Sequence, residues 1–344
     1  MSGKSGIGTF IDGILLYILK QTHNFLLIGT PKINIEKKDN ITIIPCDISP
    51  FSLQELFHFP KNILKQINSY DVYFTPYCNI PNGIKIPIYS TIHDILFLDM
   101  PNIAGKAGTF IRRMFYQRAI NKSKAIFTVS LFSKSRIIKQ LKCKKTIYVV
   151  YNGIPAYYEE QRNKITKKEP FIIFIGNIKP HKGLQTLIPA FLKFRNKMEA
   201  EGKVIPKLLI VGTKDNFRTK DTKLESAMKN APSDAITFTG YLSDKELIET
   251  LSKAELLVQP SLYEGFGLPP LQALATGTKV LLSDIPVFKE IYEDFPVNFF
   301  TVNDIENLAN KMYESWNFSS APDNYPNRYS YKITTEKILE AFNL

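Results

Sequence analysis

Cysteine is scarce in this chain, and long apolar runs are absent. The 344 residues include only Cys46, Cys78 and Cys143, which lie far apart and show no Cys-x-x-Cys spacing. This pattern argues against a disulfide framework and against a zinc site. The apolar run at residues 14–19 is too short to span a membrane, and Asp12 before it does not fit a signal peptide. We therefore expect a cytoplasmic protein without a transmembrane segment.

Acidic residues are missing from a long part of the N-terminal half. None occurs between Asp99 and Glu159, whereas that interval carries 12 Lys and Arg residues. Two interpretations of the basic segment 106–145 stay open: a solvated lysine-rich face, or a surface for anionic lipid or a phosphate-bearing acceptor. Nucleic acid is not expected as a partner, because no helix-turn-helix, zinc-finger or RNP pattern occurs.

Metal-binding patterns are also lacking. No two aspartates are spaced Asp-x-Asp, and the four histidines form no cluster along the sequence. We expect neither a metal nor a bound cofactor.

Strand and helix patterns alternate along both halves of the chain. Buried-strand patterns, separated by segments with helical spacing, occur at residues 25–28, 41–44, 72–74, 86–92, 125–129 and 146–150, and again at 171–175, 207–211, 235–239, 255–258 and 279–282. The polar stretch 159–169 between the two sets is typical of a linker. The alternation predicts an α/β protein with two doubly wound parallel sheets.

The stretch 261–279 carries the clearest functional pattern. Glu264 lies in a loop punctuated by Gly and Pro that runs into a short helix pattern. Its carboxylate and the neighbouring backbone N–H groups can converge on one polar ligand. The candidate binding residues in and after this loop are Tyr263, Gly265, Phe266, Gly267, Leu268 and Gln272.

A second loop, at residues 176–183, follows a strand pattern and opens a helix pattern. Backbone N–H groups and the helix dipole favour a phosphate there, and Lys182 adds a fixed positive charge. Gly176 and Asn177 are further candidates for the same ligand. The alternative is a plain strand-to-helix turn with a surface lysine.

His93 ends the strand pattern at residues 86–92. Ligands of parallel sheets bind at the carboxyl ends of the strands, which makes His93 a candidate catalytic residue, although a structural histidine is the alternative. Asp94 is expected to orient the loop or His93.

These segments resemble the retaining glycosyltransferases of family 4, which carry Pro-Ser-x-x-Glu-Gly-Phe-Gly-Leu-Pro, here at residues 260–269. The resemblance runs from Ser5 to about Leu308 and includes the shorter segments 71–76, 128–133 and 149–154. It implies the GT-B fold, with two Rossmann-like domains facing each other across a cleft. The expected domains are an acceptor-side domain at 1–158, a nucleotide-sugar domain at 159–327 and a C-terminal helix at 328–344 that returns to the N-terminal domain.

The resemblance also implies roles for the candidate residues. It assigns Glu264 to hydroxyls of the transferred sugar, Lys182 to the diphosphate, and His93 to the donor sugar near its anomeric centre. The chain departs from the family pattern at three positions. Asn177 replaces a first cation, Gln272 replaces a second glutamate that usually binds the ribose, and Phe74 replaces a histidine.

The segment Ser5–Thr9 resembles the family's glycine-rich loop, which makes Gly6 and Gly8 candidate donor-binding residues. Residues 10–20 then form the helix that such a loop opens. The strand that should precede the loop is missing from the sequence, and its loss would leave the neighbouring strands unpaired. We expect a start codon assigned too far downstream or a degenerate gene product.

The resemblance implies retaining, metal-independent transfer of a hexosyl group, with mannose expected. The donor is a nucleotide-diphosphate sugar, and the acceptor is a lipid-linked or phosphorylated glycan of a surface polysaccharide, reached from the inner face of a membrane. Alternatives are a catalytically impaired nucleotide-sugar-binding protein and another GT-B enzyme, such as a nucleotide-sugar epimerase or a glycan phosphorylase. A nicotinamide dehydrogenase is disfavoured, because no strand is followed by a full Gly-x-Gly-x-x-Gly fingerprint.

Overall fold

The computed structural model describes residues 6–29, 35–36, 38–160, 167–212, 228–229, 231–317 and 328–343. The chain forms two compact units. The N-terminal unit comprises Met1–Pro155 and Arg328–Leu344, and the C-terminal unit comprises Ala156–Asn327. The boundary predicted after residue 158 lies three residues beyond the one between these units.

The strands and helices alternate through both units. The strands are β1 (Phe25–Ile28), β2 (Ile41–Ile44), β3 (Tyr73–Thr75), β4 (Ile88–Thr91), β5 (Ala125–Thr128), β6 (Ile147–Val149), β7 (Glu169–Ile175), β8 (Lys207–Val211), β9 (Ile236–Gly240), β10 (Ala254–Gln259), β11 (Lys279–Ser283) and β12 (Asn298–Phe300). The helices are α1 (Gly6–Ile18), α2 (Leu53–Phe57), α3 (Lys61–Ile67), α4 (Leu96–Asp99), α5 (Gly105–Lys122), α6 (Leu131–Leu141), α7 (Ala156–Glu159), α8 (Leu184–Ala200), α9 (Asp244–Lys253), α10 (Leu268–Ala275), α11 (Pro286–Tyr292), α12 (Ile305–Asn317) and α13 (Tyr331–Phe342). Two 3-10 turns lie at Pro101–Ile103 and Pro180–Lys182.

The N-terminal unit contains two separate parallel sheets. Strands β3, β4, β5 and β6 form a four-stranded sheet in chain order, whereas β1 and β2 form a two-stranded sheet of their own. All residues of β4 and β5 are buried, but all four residues of β1 are only half-buried. Among the residues that the structure describes, the sheet of this unit is therefore divided between β1 and β3.

Helix α1 begins at Gly6, so the predicted loop at Ser5–Thr9 is wrong where the structure describes it. Gly6 and Gly8 lie in the first helical turn instead. Helix α13 packs on α1 so closely that a Cβ on Gly13 would lie 2.3 Å from the Tyr331 ring. The predicted return of the C-terminal helix to the N-terminal unit is confirmed.

The C-terminal unit is built on one six-stranded parallel sheet with the order β12-β11-β10-β7-β8-β9. The chain moves outward from β7 through β8 to β9, and then outward from β10 through β11 to β12. The order therefore reverses between β7 and β10, which lie side by side. Such a reversal is the topological switch point at which open α/β sheets bind ligands.

The predicted strands agree with the structure except at the edge of the second sheet. Strand β12 was not predicted, because its three residues are too few to show a periodic pattern and it lies at an edge. The sequence also shows helical spacing at residues 223–229, of which the structure describes only 228 and 229, and both are helical. The middle of the predicted linker, 161–166, also lies outside them, and its last residue, Glu169, opens β7.

Candidate active site

Two loops meet at the switch point of the C-terminal unit. One leaves the carboxyl end of β7, passes through the turn Pro180–Lys182 and opens α8. The other leaves the carboxyl end of β10 and opens α10. Because β7 and β10 are neighbours, residues that are far apart in the sequence come together here.

Lys182 and Glu264 form an ion pair at this point. The Lys182 Nζ lies 2.6 Å from Glu264 Oε1, and the two side chains are 19% and 11% exposed. The hydroxyl of Ser261 donates to the same carboxylate oxygen at 2.7 Å. Charge-assisted hydrogen bonds strengthen where water is partly excluded, so these groups hold one another in place. The sequence placed the two residues in separate loops and did not predict their direct contact.

Close backbone packing fixes the distance between the two loops. Gly183 has φ 77°, and a Cβ there would lie 1.9 Å from the Pro260 carbonyl oxygen. The Leu262 N–H donates to the His181 carbonyl at 2.8 Å. Only glycine at 183 combines the left-handed backbone with this approach.

The start of α10 is held in a similar way. Gly267 precedes the helix with φ 85°, and a Cβ there would lie 2.4 Å from the Phe288 ring. The Tyr292 hydroxyl donates to the Gly267 carbonyl. Tyr263 and Phe266 are both buried, so their side chains belong to the packing of the unit.

The remaining candidates of this unit lie around the same edge of the sheet. Gly176 and Asn177 follow β7 directly, and Asn177 is exposed. Leu268 and Gln272 are both half-buried and are separated by four residues in α10, which places them on one helical face. The structure therefore gathers the predicted residues 176–182 and 263–272 at the switch point.

His181 belongs to this site but was not predicted from the sequence. Its side chain is buried beside Lys182, and its Nδ1 has no hydrogen-bond partner among the described residues. Desolvation and the neighbouring Lys182 lower the pKa of His181 to about 4, against the opposing effect of Glu264. The imidazole is therefore neutral at neutral pH. A single histidine in a turn gives no spacing pattern, so its position became evident only from the fold.

His93 lies in the N-terminal unit, just after β4. Its Nε2 is 2.9 Å from the Pro76 carbonyl oxygen, and its ring meets the ring of Phe10 edge-on at 5.0 Å between centroids. Desolvation lowers the pKa of His93 to about 4, whereas the bond to Pro76 acts in the opposite direction. Asp94 accepts a hydrogen bond from the Leu96 N–H at 3.0 Å, at the start of α4.

Gly6 lies one helical turn before Phe10 and thus at the end of α1 that adjoins His93. Gly8 is buried in the same turn. Their assignment to a donor, like that of His93, stays a prediction.

Within the described residues, no three His, Cys, Asp or Glu side chains are grouped so that they could hold a metal ion. Over the same residues, no helix has the length and apolar character needed to cross a membrane.

The two α/β units with parallel sheets, the second carrying its polar cluster at the switch point, define a GT-B glycosyltransferase architecture. The sequence model for Glycosyltransferase Family 4 matches residues 5–156, and the model for Glycosyl transferases group 1 matches residues 158–326. The chain belongs to the GT-B glycosyltransferases.

Solved structures show the same fold over nearly the whole chain. A glycosyltransferase from Rickettsia africae superposes with a TM-score of 0.70 at 16% identity, covering 100% of this chain and 96% of that one. HepE from Anabaena, in complex with UDP and glucose, gives 0.67 at 15% identity, with 100% and 97% coverage. Identities this low show the fold alone.

A curated relative is similar in sequence. The O-antigen chain mannosyltransferase RfbU of Salmonella typhimurium is 30% identical over 206 residues, which are 58% of this chain and 53% of RfbU. The matched part therefore spans about half the length of that relative.

Proposed function

We propose that this protein transfers a hexosyl group from a nucleotide-diphosphate sugar to a glycan acceptor. The observation that carries the proposal is the Lys182–Glu264 pair at the switch point of the C-terminal unit. Lysine offers three N–H donors, of which Glu264 uses one, so Lys182 can hold the carboxylate and a phosphate oxygen together. Glu264 keeps acceptor capacity for sugar hydroxyls in the same place.

The proposed reaction retains the anomeric configuration and needs no metal. The bond between the anomeric carbon and the diphosphate oxygen breaks, and a bond to the acceptor oxygen forms on the same face of the sugar. The acceptor hydroxyl gives its proton to the departing phosphate oxygen. Lys182 and the backbone N–H groups at the start of α10 would offset the negative charge that develops on the leaving diphosphate, because a preorganised positive potential stabilises that charge.

Mannose and a surface polysaccharide are the proposed sugar and product. RfbU, the relative at 30% identity, is described as an O-antigen chain mannosyltransferase. HepE, whose fold this chain shares, was solved with UDP and glucose, which supports a nucleotide-sugar donor.

We further propose that the N-terminal unit binds an anionic membrane surface through α5 and α6. Lys106, Phe110 and Met114 are exposed and recur every fourth residue along α5. Leu131 and Ile138 are exposed on α6, which the bond from Arg113 to the Gln140 carbonyl joins to α5 at 2.6 Å. Apolar side chains among cations are the pattern by which a helix lies on acidic lipid.

Not every cation of the basic segment is available to a membrane. Arg136 pairs with Asp99, Arg118 donates to the Ile80 carbonyl, and the Arg112 guanidinium stacks 3.6 Å from the Phe97 ring centroid. The lysines at 106, 139, 142, 144 and 145 are exposed. The membrane proposal therefore depends on these lysines.

The test of the donor site is thermal unfolding against UDP-, GDP-, ADP- and dTDP-sugars without added metal. A ligand of the folded state raises the melting temperature, so one panel reports both affinity and base preference. We expect a shift with one nucleotide and none for the variant Lys182→Ala. A folded protein that responds to no donor would overturn the proposal. If a donor binds, proton NMR of the glycosidic product would show whether the anomeric configuration is retained.

A nucleotide-sugar-binding protein without transferase activity is a second candidate. The observation that favours it is the divided sheet of the N-terminal unit, beside an undivided sheet in the C-terminal unit. Donor binding without transfer to any glycan and without donor hydrolysis would support this candidate.

A further inference from the structure

A chain of buried polar side chains leads to Glu264 from inside the C-terminal unit. The amide of Gln259, the last residue of β10, donates from Nε2 to Ser261 Oγ at 3.3 Å. The Ser261 hydroxyl in turn donates to Glu264 Oε1 at 2.7 Å. Gln259 and Ser261 are both buried, whereas the Glu264 side chain keeps an exposed fraction of 11%. Glu264 is thus the member of this chain that a ligand can reach.

The direction of the hydrogen bonds explains an unpaired atom of Gln259. An ionised carboxylate only accepts hydrogen bonds, so the single hydroxyl proton of Ser261 is used for Glu264. Ser261 Oγ then needs a donor, which fixes the Nε2 of Gln259 toward it. Gln259 Oε1 is left buried and without a hydrogen-bond partner among the described residues. Such an acceptor lowers stability, and its presence is explained if the amide N–H is needed at Ser261.

The two oxygens of Glu264 are used differently. Within the described part of the chain, both hydrogen bonds that Glu264 accepts go to Oε1, from Lys182 Nζ at 2.6 Å and from the Ser261 hydroxyl. Two donors on one oxygen restrict the rotation of the carboxylate, and charge-assisted bonds are the stronger ones. Oε2 is therefore the oxygen that can accept from a ligand hydroxyl.

The backbone around Ser261 is held by other contacts. The hydroxyl of Ser283, the last residue of β11, donates to the Ser261 carbonyl at 2.6 Å. The Leu262 N–H donates to the His181 carbonyl at 2.8 Å. Neither bond involves the Ser261 hydroxyl, so the loop should keep its path when that hydroxyl is removed.

We propose that Gln259 and Ser261 are positioning residues that fix Glu264 for the hydroxyls of the donor sugar. In the proposed function, on which this inference rests, Glu264 binds the sugar and Lys182 binds the diphosphate. Gln259 orients the Ser261 hydroxyl, Ser261 holds Glu264 Oε1, and Glu264 Oε2 accepts from the sugar. The chain of bonds therefore serves recognition of the sugar and not of the diphosphate.

The test compares sugar nucleotides with the same nucleotides lacking the sugar, by isothermal titration calorimetry of the full chain. The probe pairs are GDP-mannose with GDP, UDP-glucose with UDP, ADP-glucose with ADP, and dTDP-glucose with dTDP. We expect Ser261→Ala to weaken binding of the sugar nucleotide about tenfold, and of the nucleoside diphosphate by less than about twofold, as the loss of one hydrogen bond to the charged Glu264 does. A loosened loop would weaken both members of a pair alike.

Ser283→Ala is the matched control for Ser261→Ala. Ser283 is also a buried serine whose hydroxyl donates to residue 261, but it donates to the backbone carbonyl rather than to Glu264. We expect the ratio of the two affinities in Ser283→Ala to equal that of the parent chain. The parent ratio in Ser261→Ala as well would overturn the proposal.

A double variant tests whether Ser261 acts through Glu264. Adding Ser261→Ala to Glu264→Ala should change the affinity for the sugar nucleotide by less than about twofold, because no carboxylate is left to position. A further tenfold loss in the double variant would show that Ser261 has an effect of its own and would overturn its role as a positioning residue.

Gln259→Met separates positioning from folding. Methionine is similar in size and removes the unpaired acceptor together with the donor, so the variant should keep the parent melting temperature. We expect it to weaken binding of the sugar nucleotide about threefold and to leave binding of the nucleoside diphosphate unchanged, since one neutral hydrogen bond to Ser261 is lost. Equal losses for both probes, together with a lower melting temperature, would assign Gln259 to folding alone.

Failure of the proposed function would give a different result. If the parent chain binds none of the four sugar nucleotides, the donor site is wrong and the roles of Gln259 and Ser261 fall with it. If the parent chain binds one of them and Ser261→Ala binds it as tightly, the donor site stands and only the positioning role is overturned.

Discussion

Lys182 and Glu264 act as one unit at the scale of single residues, because they bond to each other directly. We expect Lys182→Ala and Glu264→Ala each to lower kcat on the order of 100-fold, as the loss of one preorganised charged group does. The double variant should lose much less than the product of the two effects. Steady-state kinetics with the donor found by thermal unfolding would measure this.

The control for these variants is a second ion pair of the same unit. Lys193 and Glu306 bond to each other on the surface, where both side chains are more than half exposed. Surface pairs contribute little, so Lys193→Ala should keep the parent kcat. Unchanged kcat in Lys182→Ala would remove that residue from the site.

Two histidines, the buried His181 and the half-buried His93, make stability depend on pH. The pKa values of His93 and His181 are lowered to about 4 in the folded protein, from 6.5 in an exposed histidine. Between these values the unfolded chain takes up protons that the folded chain does not, so the free energy of unfolding should fall as pH drops from 6.5 to 4. Above pH 6.5 neither state binds these protons, so the stability that the lowered pKa values provide is fully present.

Urea unfolding at pH 4.5, 5.5, 6.5 and 7.5 measures that slope. His181→Gln should flatten it by about one proton, because the substituted side chain does not titrate in this range. The same slope in the parent and in His181→Gln would contradict the low pKa of His181.

At the scale of elements, the turn before α8 sets the spacing between the two loops of the site. Gly183→Ala places a Cβ against the Pro260 carbonyl, whereas Gly202→Ala, just after α8 at φ 64°, meets nothing within 4 Å. Both substitutions carry the cost of a left-handed backbone, about 1 kcal/mol. Only Gly183→Ala should also weaken donor binding, because it moves Lys182 away from Glu264.

Titration of both alanine variants with donor by calorimetry would separate a loss of stability, expected in both, from a loss of donor affinity, expected only in Gly183→Ala. Equal donor affinity in both alanine variants would show that the close approach at Gly183 does not position the site.

Helix α5 can be tested with vesicles of acidic phospholipid. Phe110→Ser should lower the partition coefficient between vesicles and water about tenfold, because it removes the exposed aromatic ring that would enter the apolar layer of the membrane. Phe57→Ser is the matched control, because Phe57 is 58% exposed against 63% for Phe110 but lies outside the basic segment. Vesicle sedimentation that gives the same result for both variants would refute a membrane role for α5.

The elements also show how far the sequence predicts the structure. Strands such as β1, β2 and β8 were predicted residue for residue, because apolar β-branched runs bounded by turns leave few alternatives. The start of α1 was missed, since Gly6 and Gly8 suggest a loop while the first helical turn tolerates them. The sequence also indicated Lys182 and Glu264 separately, but their contact depends on the pairing of β7 with β10, which is not a local property.

At the scale of the whole molecule, α13 links the last residues of the chain to the first helix. Tyr331 and Ile338 are buried against a core that includes Phe10 and Ile14. Deleting residues 328–344 should therefore unfold the N-terminal unit and leave the C-terminal unit folded, because the C-terminal unit keeps its own sheet and core. Scanning calorimetry of the deletion variant should show one thermal unfolding transition fewer than the parent chain. Two retained transitions would show that α13 is dispensable.

The same connection determines the order of folding during synthesis. Domains usually fold as they leave the ribosome, the first one first. In this chain the C-terminal unit, residues 156–327, is synthesised before α13, whereas the N-terminal unit lacks that helix until residues 331–342 have been made. The half that is synthesised first should thus be the last to mature, and the apolar face of α1 stays uncovered until α13 packs on it.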